Sequence, residues 1–280
     1  NVLSELIRAA FVAAPGSRFL VADFSAIEAR VIAWLAGEQW VLDLFKNGGD
    51  IYCETGTRMF GQEVKKHSPL RQRAKVAVLA CGYQGGVGAL KAMGGEKLGL
   101  GEDEMASIVD AWRKANPRIA QMWWDVNRAA LEAIKNGTSQ MVGRIKVYQK
   151  LGALVIALPS GRELIYPSPR VGENRFGGES ITFMGLGLNR KWGRIETYGG
   201  KLVENIVQAT ARDVLAHSMA TLEAAGYPTV MHVHDEVITE VPYGRGSVDE
   251  LCALMSRGPK WSKGLPLAAE GFESTYYKKG

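Results

Sequence analysis

Cysteine and histidine are both scarce in this sequence of 280 residues. The three cysteines, Cys53, Cys81 and Cys252, lie far apart and form no CxxC pair, so neither a disulfide framework nor a cysteine-based zinc site is indicated. Sparse, unpaired cysteines are typical of a reducing intracellular compartment. With only four histidines in the chain, a histidine-rich metal site is not indicated either.

Long apolar runs are missing as well. No stretch reaches the ~20 apolar residues that a membrane-spanning helix requires, and the first residues do not have the pattern of a signal peptide. The sequence therefore predicts no association with a membrane. The net charge of +5 and the pI of about 9.0 favour a polyanionic partner, but only weakly.

Helical and strand-like patterns follow one another without the strand–helix–strand alternation of a doubly wound sheet, which predicts an α+β fold. The run FLVAD at 19–23 is typical of a buried strand, and Ser25 with Glu28 forms a capping-box pattern at the start of the next helix. The other expected elements are helices over 50–60, 70–83, 102–136 (broken near Asn116-Pro117) and 201–225, and strands over 139–200.

Residues 230–241, VMHVHDEVITEV, combine strand-forming residues with a charged centre. Valine and isoleucine recur on both sides of His234-Asp235-Glu236, which predicts a β-hairpin with these three residues at its turn. Hairpin turns favour Asn-Gly or Asp-Gly, yet this turn has no glycine. The carboxylates at the tip are therefore the first candidates for a ligand-binding site.

Asp23 is another carboxylate, placed at the end of a predicted strand. If FLVAD lay beside the hairpin, Asp23 and Asp235 would converge. Two ionised carboxylates repel each other, and the pKa of one rises, unless a cation lies between them. Mg²⁺ prefers oxygen ligands, commonly one or two carboxylates together with substrate phosphates. The pair therefore favours magnesium-dependent phosphoryl transfer over zinc chemistry.

The segment RQRAKVAVLACGY at 71–83 has a residue of chemical interest at every fourth position. Arg71, Lys75, Leu79 and Tyr83 share one face of a predicted helix. Arginine binds phosphate bidentately, whereas lysine acts as a mobile point charge and a proton donor. Two cations, an apolar residue and an aromatic residue in succession suit a triphosphate, a sugar and a base.

Each pattern also has a simpler interpretation. Asp23 taken alone is most often a turn residue or a helix cap, and an Arg–Lys pair one turn apart is most often a solvated face. A metal-dependent hydrolase that uses His232, His234 and Asp235 is a further alternative, which the scarcity of histidines disfavours. Tightly bound zinc without nucleotide binding would support that hydrolase.

Together, the three patterns resemble the palm and fingers of family A DNA polymerases, the bacterial DNA polymerase I group. The family motif DYSQIELR is similar to DFSAIEAR at Asp23–Arg30, and VHDE is matched in full at Val233–Glu236. The family motif RxxxKxxxFxxxYG is similar to the segment from Arg71 to Gln84, with leucine and glutamine at its third and last named positions. Order and spacing also agree, and PKWSKGLPLAAEG at 259–271 resembles the phage-encoded branch.

The resemblance implies template-directed DNA synthesis, in which a deoxynucleoside triphosphate is added to a primer 3′-OH and pyrophosphate is released. Two Mg²⁺ ions, with Mn²⁺ as an alternative, would be held ~3.5–4 Å apart by Asp23, Asp235 and the main-chain carbonyl of Phe24. Lys75 would act as general acid, and Glu236 would be a supporting carboxylate. The catalytic residues implied are thus Asp23, Asp235 and Lys75.

The resemblance also implies how nucleotide and DNA would be bound. Glu28 would exclude a 2′-hydroxyl, and Tyr83 would stack near the template base. Leu79 stands where the family usually has an aromatic residue against the sugar, and Tyr52 stands where many members have a phosphate-binding histidine. The nucleotide-binding residues implied are Arg71, Lys75, Leu79, Tyr83, Glu28 and Tyr52. The residues implied to contact primer–template DNA are Gln208, His234 and Arg30.

The implied architecture is a polymerase right hand with an antiparallel palm sheet and helical fingers. Residues 1–48 and 139–280 would form the palm, and residues 49–138 the fingers. Because the chain opens at Asn1 in mid-pattern, we expect a fragment in which the thumb is absent, so that primers are extended weakly and with low processivity. A monomer in the cytoplasm of a bacterial cell or a phage-infected host is expected. The alternative is a catalytically impaired polymerase-like module that binds nucleic acid.

Overall fold

The computed structural model describes residues 7–174, 177–187 and 189–278. Helices and strands follow in mixed order and the described sheets are antiparallel, which confirms the predicted α+β class. The helices are α1 (Ile27–Ala36), α2 (Gln39–Lys46), α3 (Ile51–Phe60), α4 (Pro69–Cys81), α5 (Val87–Ala92), α6 (Glu102–Ala115), α7 (Pro117–Asn136), α8 (Gly199–Ala224) and α9 (Val248–Met255). The strands are β1 (Ser17–Phe24), β2 (Gln140–Val142), β3 (Ile145–Lys150), β4 (Ala153–Ala157), β5 (Glu163–Pro167), β6 (Arg170–Glu173), β7 (Glu179–Leu186), β8 (Trp192–Thr197), β9 (Thr229–Val233), β10 (Glu236–Pro242) and β11 (Ala269–Ser274).

The chain divides into two compact units. We call Asn1–Glu28 with Ala209–Gly280 the terminal unit, and Ala29–Gln208 the central unit. The palm and fingers ranges expected from the sequence remain a prediction, and residues 1–6 of the first range lie outside the described residues. None of the described helices is both long enough and apolar enough to cross a membrane.

The terminal unit contains a four-stranded antiparallel sheet in the order β11-β1-β10-β9. Strand β1 lies inside this sheet, and Leu20, Val21 and Ala22 are almost completely buried. Helix α9 packs on β1 and β11. Strands β9 and β10 pair as the predicted hairpin, so the buried strand and the hairpin are neighbours in one sheet.

The helices of the central unit begin and end close to the predicted positions. Helix α4 ends at Cys81, just before a glycine-rich stretch, and α6 gives way to α7 at Pro117, where proline suits the first helical turn. The rings of Trp112 and Trp123 stack with centroids 6.0 Å apart. The indole N–H of Trp123 donates to the carbonyl of Gly82 at 2.9 Å, which fixes the end of α4 against α7.

The central unit also contains two antiparallel sheets, β2-β3-β4-β5 and β6-β7-β8, which confirm the strand-like pattern of 139–200. Tyr166 and Phe183 meet edge to face with centroids 5.0 Å apart and join the two sheets. Helix α8 then starts at a glycine pair. A Cβ atom on Gly199 would lie 2.0 Å from the carbonyl oxygen of Trp123, so this close approach of helix to helix requires glycine.

Candidate functional site

Strand pairing in the terminal unit brings Asp23 next to the hairpin tip. In the register of β1 with β10, Asp23 lies opposite Glu236. The main-chain N–H of Phe24 donates to the carbonyl of Asp235 at 3.4 Å, which joins the end of β1 to the turn. The expected convergence of Asp23 and Asp235 is therefore present in the structure.

The hairpin turn is made without glycine. His234 and Asp235 are the only residues between β9 and β10, and His234 takes a positive φ of 55°. Histidine is among the non-glycine residues that are enriched in this region of backbone space. Strained turn residues cluster at functional sites, and this one exposes the His234 ring beside the carboxylates.

The Asp23 carboxylate carries the electrostatic signature of a cation site. Partial burial, followed by the negative charges of Asp235 and Glu236, raises the pKa of Asp23 to about 7. A divalent cation would relieve this repulsion and restore the ionised form. The available donors are two carboxylates and main-chain carbonyls, which are the oxygen ligands that Mg²⁺ and Mn²⁺ prefer. The residues present therefore fit the expected metal.

Glu236 is held by a residue that the sequence patterns did not indicate. The hydroxyl of Tyr277 donates to the Glu236 carboxylate at 2.5 Å. Burial, together with this hydrogen bond, raises the pKa of Tyr277 to about 12, so its hydroxyl stays a donor at neutral pH. The bond fixes the Glu236 carboxylate, which is consistent with a supporting role.

The histidine-based alternative receives no support. The two terminal nitrogens of the Arg212 guanidinium lie 3.4 and 3.3 Å from the two ring nitrogens of His232, so a positive charge already lies against that ring. Over the described ranges, no group of three or more His, Cys, Asp and Glu side chains is arranged to hold a metal ion. A site of two carboxylates needs its remaining ligands from carbonyls, water and substrate phosphates.

Helix α4 in the central unit carries the predicted cations. Both Nε and Nη2 of Arg71 donate to one carboxylate oxygen of Asp50, at 3.0 and 2.7 Å. The other oxygen of Asp50 accepts from the main-chain N–H groups of Tyr52 and Cys53, so Asp50 also caps α3. Asp50 was not predicted as a site residue, although an aspartate just before a helix is a cap signal.

A tyrosine ring lies beneath both cations. The Arg71 guanidinium and the Lys75 ammonium lie 5.1 and 5.7 Å from the ring centroid of Tyr52. Such cation–π contacts orient a positive charge without neutralising it. In the described part of the chain Lys75 has no carboxylate partner, so its charge is available to an anion.

The last two residues of the four-residue pattern, Leu79 and Tyr83, do not both lie on helix α4. Leu79 is 47% exposed near the end of α4. Tyr83 lies two residues beyond Cys81, where α4 ends, and is therefore in the following turn rather than on the helix. The turn continues into Gln84, whose φ is 65° and whose side-chain oxygen accepts from the N–H of Gly200 at 2.9 Å.

The predicted DNA-contacting residues differ in exposure. Gln208 on α8 and His234 at the hairpin tip are exposed, as is Glu28 in the first turn of α1. Arg30 is buried, and its guanidinium lies 4.1 Å from the ring centroid of Phe45. The contact of Arg30 with DNA stays a prediction.

The repulsion at the hairpin tip predicts a gain in stability when one carboxylate is removed. In metal-free protein at pH 8, Asp235→Asn should raise the free energy of unfolding by about 1 kcal/mol, because a partly exposed pair of like charges is relieved. Below the Asp23 pKa of about 7, Asp23 is protonated in the folded protein and the gain should shrink. Thermal unfolding in EDTA at pH 8 and pH 5.5 checks this, and an unchanged or lowered Tm at pH 8 would contradict it.

Comparison with known proteins gives matches over nearly the whole chain. The profile of DNA polymerase family A matches residues 2–260. The DNA polymerase of Bacillus phage SP02 is 51% identical over 284 residues, which cover 99% of this chain and 44% of that polymerase. The thermostable DNA polymerase I of Thermus thermophilus is 26% identical over 273 residues, which cover 96% of this chain and 28% of that enzyme.

A solved structure gives the same result in three dimensions. The POL domain of Pol1 from M. smegmatis, in complex with DNA primer-template and dNTP, aligns with a TM-score of 0.69 at 19% identity. The alignment covers 99% of this chain and 43% of that one. It confirms the predicted fold, and this chain spans less than half the length of each of the three proteins.

Proposed function

The chain belongs to DNA polymerase family A, and we propose that it carries out template-directed DNA synthesis. A deoxynucleoside triphosphate would be added to the 3′-OH of a primer, and pyrophosphate would be released. The placement of Asp23 beside Asp235 at the hairpin tip carries the proposal. The primer-template DNA and dNTP bound to the M. smegmatis domain support the same substrates here.

Two divalent ions, Mg²⁺ or Mn²⁺, would be held by Asp23, Asp235 and the main-chain carbonyl of Phe24. When bound, such ions lower the pKa of the primer hydroxyl and stabilise the charge of the in-line displacement. The protein keeps the two carboxylates side by side through the pairing of β1 with β10. The hydrogen bond from Tyr277 keeps Glu236 in a supporting position.

The cationic face of α4 would bind the triphosphate. Asp50 orients the Arg71 guanidinium through two hydrogen bonds, so that little conformational freedom is lost on phosphate binding. The Lys75 ammonium lies above Tyr52, has no carboxylate partner among the described residues, and would donate a proton to the leaving pyrophosphate. The exposed side chain of Leu79 would contact the sugar, and Tyr83 would stack near the template base.

The remaining proposals concern the contacts with DNA and the division into palm and fingers. Gln208 and His234, both exposed, would contact the primer–template duplex. Residues 1–48 and 139–280 would form the palm, and residues 49–138 the fingers. Arg30, whose guanidinium lies over the ring of Phe45, stays in the proposed DNA-binding set.

A primer-extension assay with this chain tests the proposal. A labelled primer on a longer template, supplied with four dNTPs and Mg²⁺, should gain nucleotides in the order that the template dictates. EDTA should stop the extension, and added Mn²⁺ should restore it. Binding of primer–template without any extension would instead favour a catalytically impaired module.

Glu28 provides a prediction on sugar selectivity. Glu28→Ala should raise the efficiency of ribonucleotide addition relative to deoxynucleotide addition by roughly 10²-fold, because the side chain proposed to exclude the 2′-hydroxyl is removed. Single-nucleotide addition measured with ATP and dATP gives this ratio. Glu96→Ala, which removes an exposed glutamate in the other unit, is the matched control. An unchanged ratio in Glu28→Ala would withdraw the sugar-gate assignment.

A further inference from the structure

Arg212 and His232 form a pair on the surface of the terminal unit that none of the proposed sites uses. Arg212 lies on α8 and His232 on β9, the strand at the edge of the sheet, and both side chains are exposed. We propose that this pair binds a backbone phosphate of the primer–template duplex, with Arg212 in contact with the phosphate and His232 holding Arg212 in place. The inference rests on the proposed function, because primer–template DNA is the ligand.

The guanidinium of Arg212 has unused N–H donors. Its two terminal nitrogens lie 3.4 and 3.3 Å from the two ring nitrogens of His232. A neutral imidazole has one acceptor nitrogen, so at most one of these two contacts is a hydrogen bond. Among the described residues, Arg212 has no carboxylate or carbonyl partner for its other N–H groups. An arginine in this state suits the bidentate binding of a phosphate.

His232 restricts where the Arg212 side chain can lie. An arginine on an exposed helix face otherwise samples many rotamers, and ordering it when a ligand binds costs conformational entropy. The contact with the ring reduces that cost, because the side chain is partly ordered before binding. Unlike a carboxylate, His232 leaves the positive charge of Arg212 unneutralised. His232 is therefore a positioning residue, and Arg212 supplies the contact with the ligand.

The neighbours of the pair indicate that the ligand is the DNA backbone. Gln208 lies four positions before Arg212 on α8, and residues four apart share one face of a helix. His234 follows His232 by two positions, at the exposed hairpin tip. Gln208 and His234 are both proposed to contact the duplex, so the same duplex would extend to Arg212. A phosphate contact there would fix the position of the duplex without reading its sequence.

Binding of duplex DNA without catalysis tests the proposal. A fluorescent primer–template duplex is titrated with the protein at several salt concentrations, in EDTA and without dNTPs. Arg212→Ala should weaken binding roughly tenfold, the loss expected for one charge-assisted contact. The slope of log K against log[salt] should fall by about one, as for one lost phosphate contact. Arg212→Lys keeps the charge and should keep the slope.

The control variant and the assay separate this proposal from the proposed function. Arg257→Ala removes another exposed arginine of the same unit, in the segment that follows α9, and should bind the duplex like wild type. Because the assay needs no metal and no chemical step, a protein that fails to extend primers still gives a result. Normal primer extension combined with wild-type DNA binding by Arg212→Ala would overturn this proposal alone.

Neutral phosphates locate the contact on the DNA. In a set of duplexes, each with a single phosphate replaced by methylphosphonate, one position should weaken binding by wild type and not by Arg212→Ala. His232→Ala should weaken binding by a smaller factor than Arg212→Ala, and the double variant should bind like Arg212→Ala, because His232 acts through Arg212. Equal losses for wild type and Arg212→Ala at every methylphosphonate, or additive losses in the double variant, would overturn the proposed pair.

Discussion

Replacement of Asp235 with asparagine is expected to slow nucleotide addition by at least about 10³-fold, equivalent to roughly 4 kcal/mol of transition-state stabilisation. Asparagine keeps the size of the side chain at the hairpin turn and removes the charge that would hold the metal beside Asp23. Single-turnover extension of a primer by one nucleotide, with saturating dNTP and Mg²⁺, measures the rate directly.

Two further variants show whether the loss is specific. Asp249→Asn removes an exposed carboxylate from the same unit, in the first turn of α9, and should leave the rate unchanged. Glu236→Gln should slow addition by only about tenfold, because the Glu236 carboxylate, which accepts a hydrogen bond from Tyr277, is proposed to support the metal site without binding metal directly. Because Asp235→Asn should not lower stability, a loss of activity would not come from unfolding. Surviving activity would remove Asp235 from the catalytic residues.

Replacement of Lys75 with alanine should reduce the rate of addition by about 10²–10³-fold, as expected when one charged donor to the transition state is lost. The structure supports a large effect because Lys75 lies over Tyr52 without a carboxylate partner among the described residues. Lys75→Arg should recover triphosphate binding but only part of the rate, since arginine remains charged and is a poor proton donor. Pre-steady-state titration with dNTP separates the apparent Kd from the maximum rate.

Lys91→Ala is the matched control for Lys75. Lys91 is a partly exposed lysine of α5 in the same unit, and it pairs with Glu102 at 3.1 Å. Its removal should change neither the rate nor the apparent Kd. If Lys75→Ala reacts as fast as Lys91→Ala, the proton-donor role of Lys75 is wrong.

The carboxylate site could be predicted from the sequence because it depends on local patterns. FLVAD and VMHVHDEVITEV are runs of strand-forming residues, and their charged residues lie at strand ends where the chain must turn. Once the two strands pair, Asp23 and Asp235 have to meet. Likewise, Pro117 sets the boundary between α6 and α7, and the glycines that follow Cys81 set the end of α4.

The supporting contacts could not be predicted, because they join residues far apart in the chain. Tyr277 lies 41 positions from Glu236, and Asp50 lies 21 positions from Arg71. Nothing in their local sequence indicates a partner. Arg30 belongs to a motif, and its contact with the ring of Phe45, 15 positions away in the chain, has no local signal in the sequence. In the sequence, Tyr83 continues the four-residue spacing of Arg71, Lys75 and Leu79. The helix does not reach Tyr83, since α4 ends at Cys81.

The central claim is that Asp23 and Asp235 together hold divalent metal, and Mn²⁺ binding measured by electron paramagnetic resonance tests it without any chemical step. The titration uses wild type, Asp23→Asn, Asp235→Asn and the control Asp249→Asn, each with primer–template and a non-hydrolysable dNTP. We predict that both site variants bind Mn²⁺ at least about tenfold more weakly than wild type and the control. Equal Mn²⁺ affinity in all four proteins would contradict the claim.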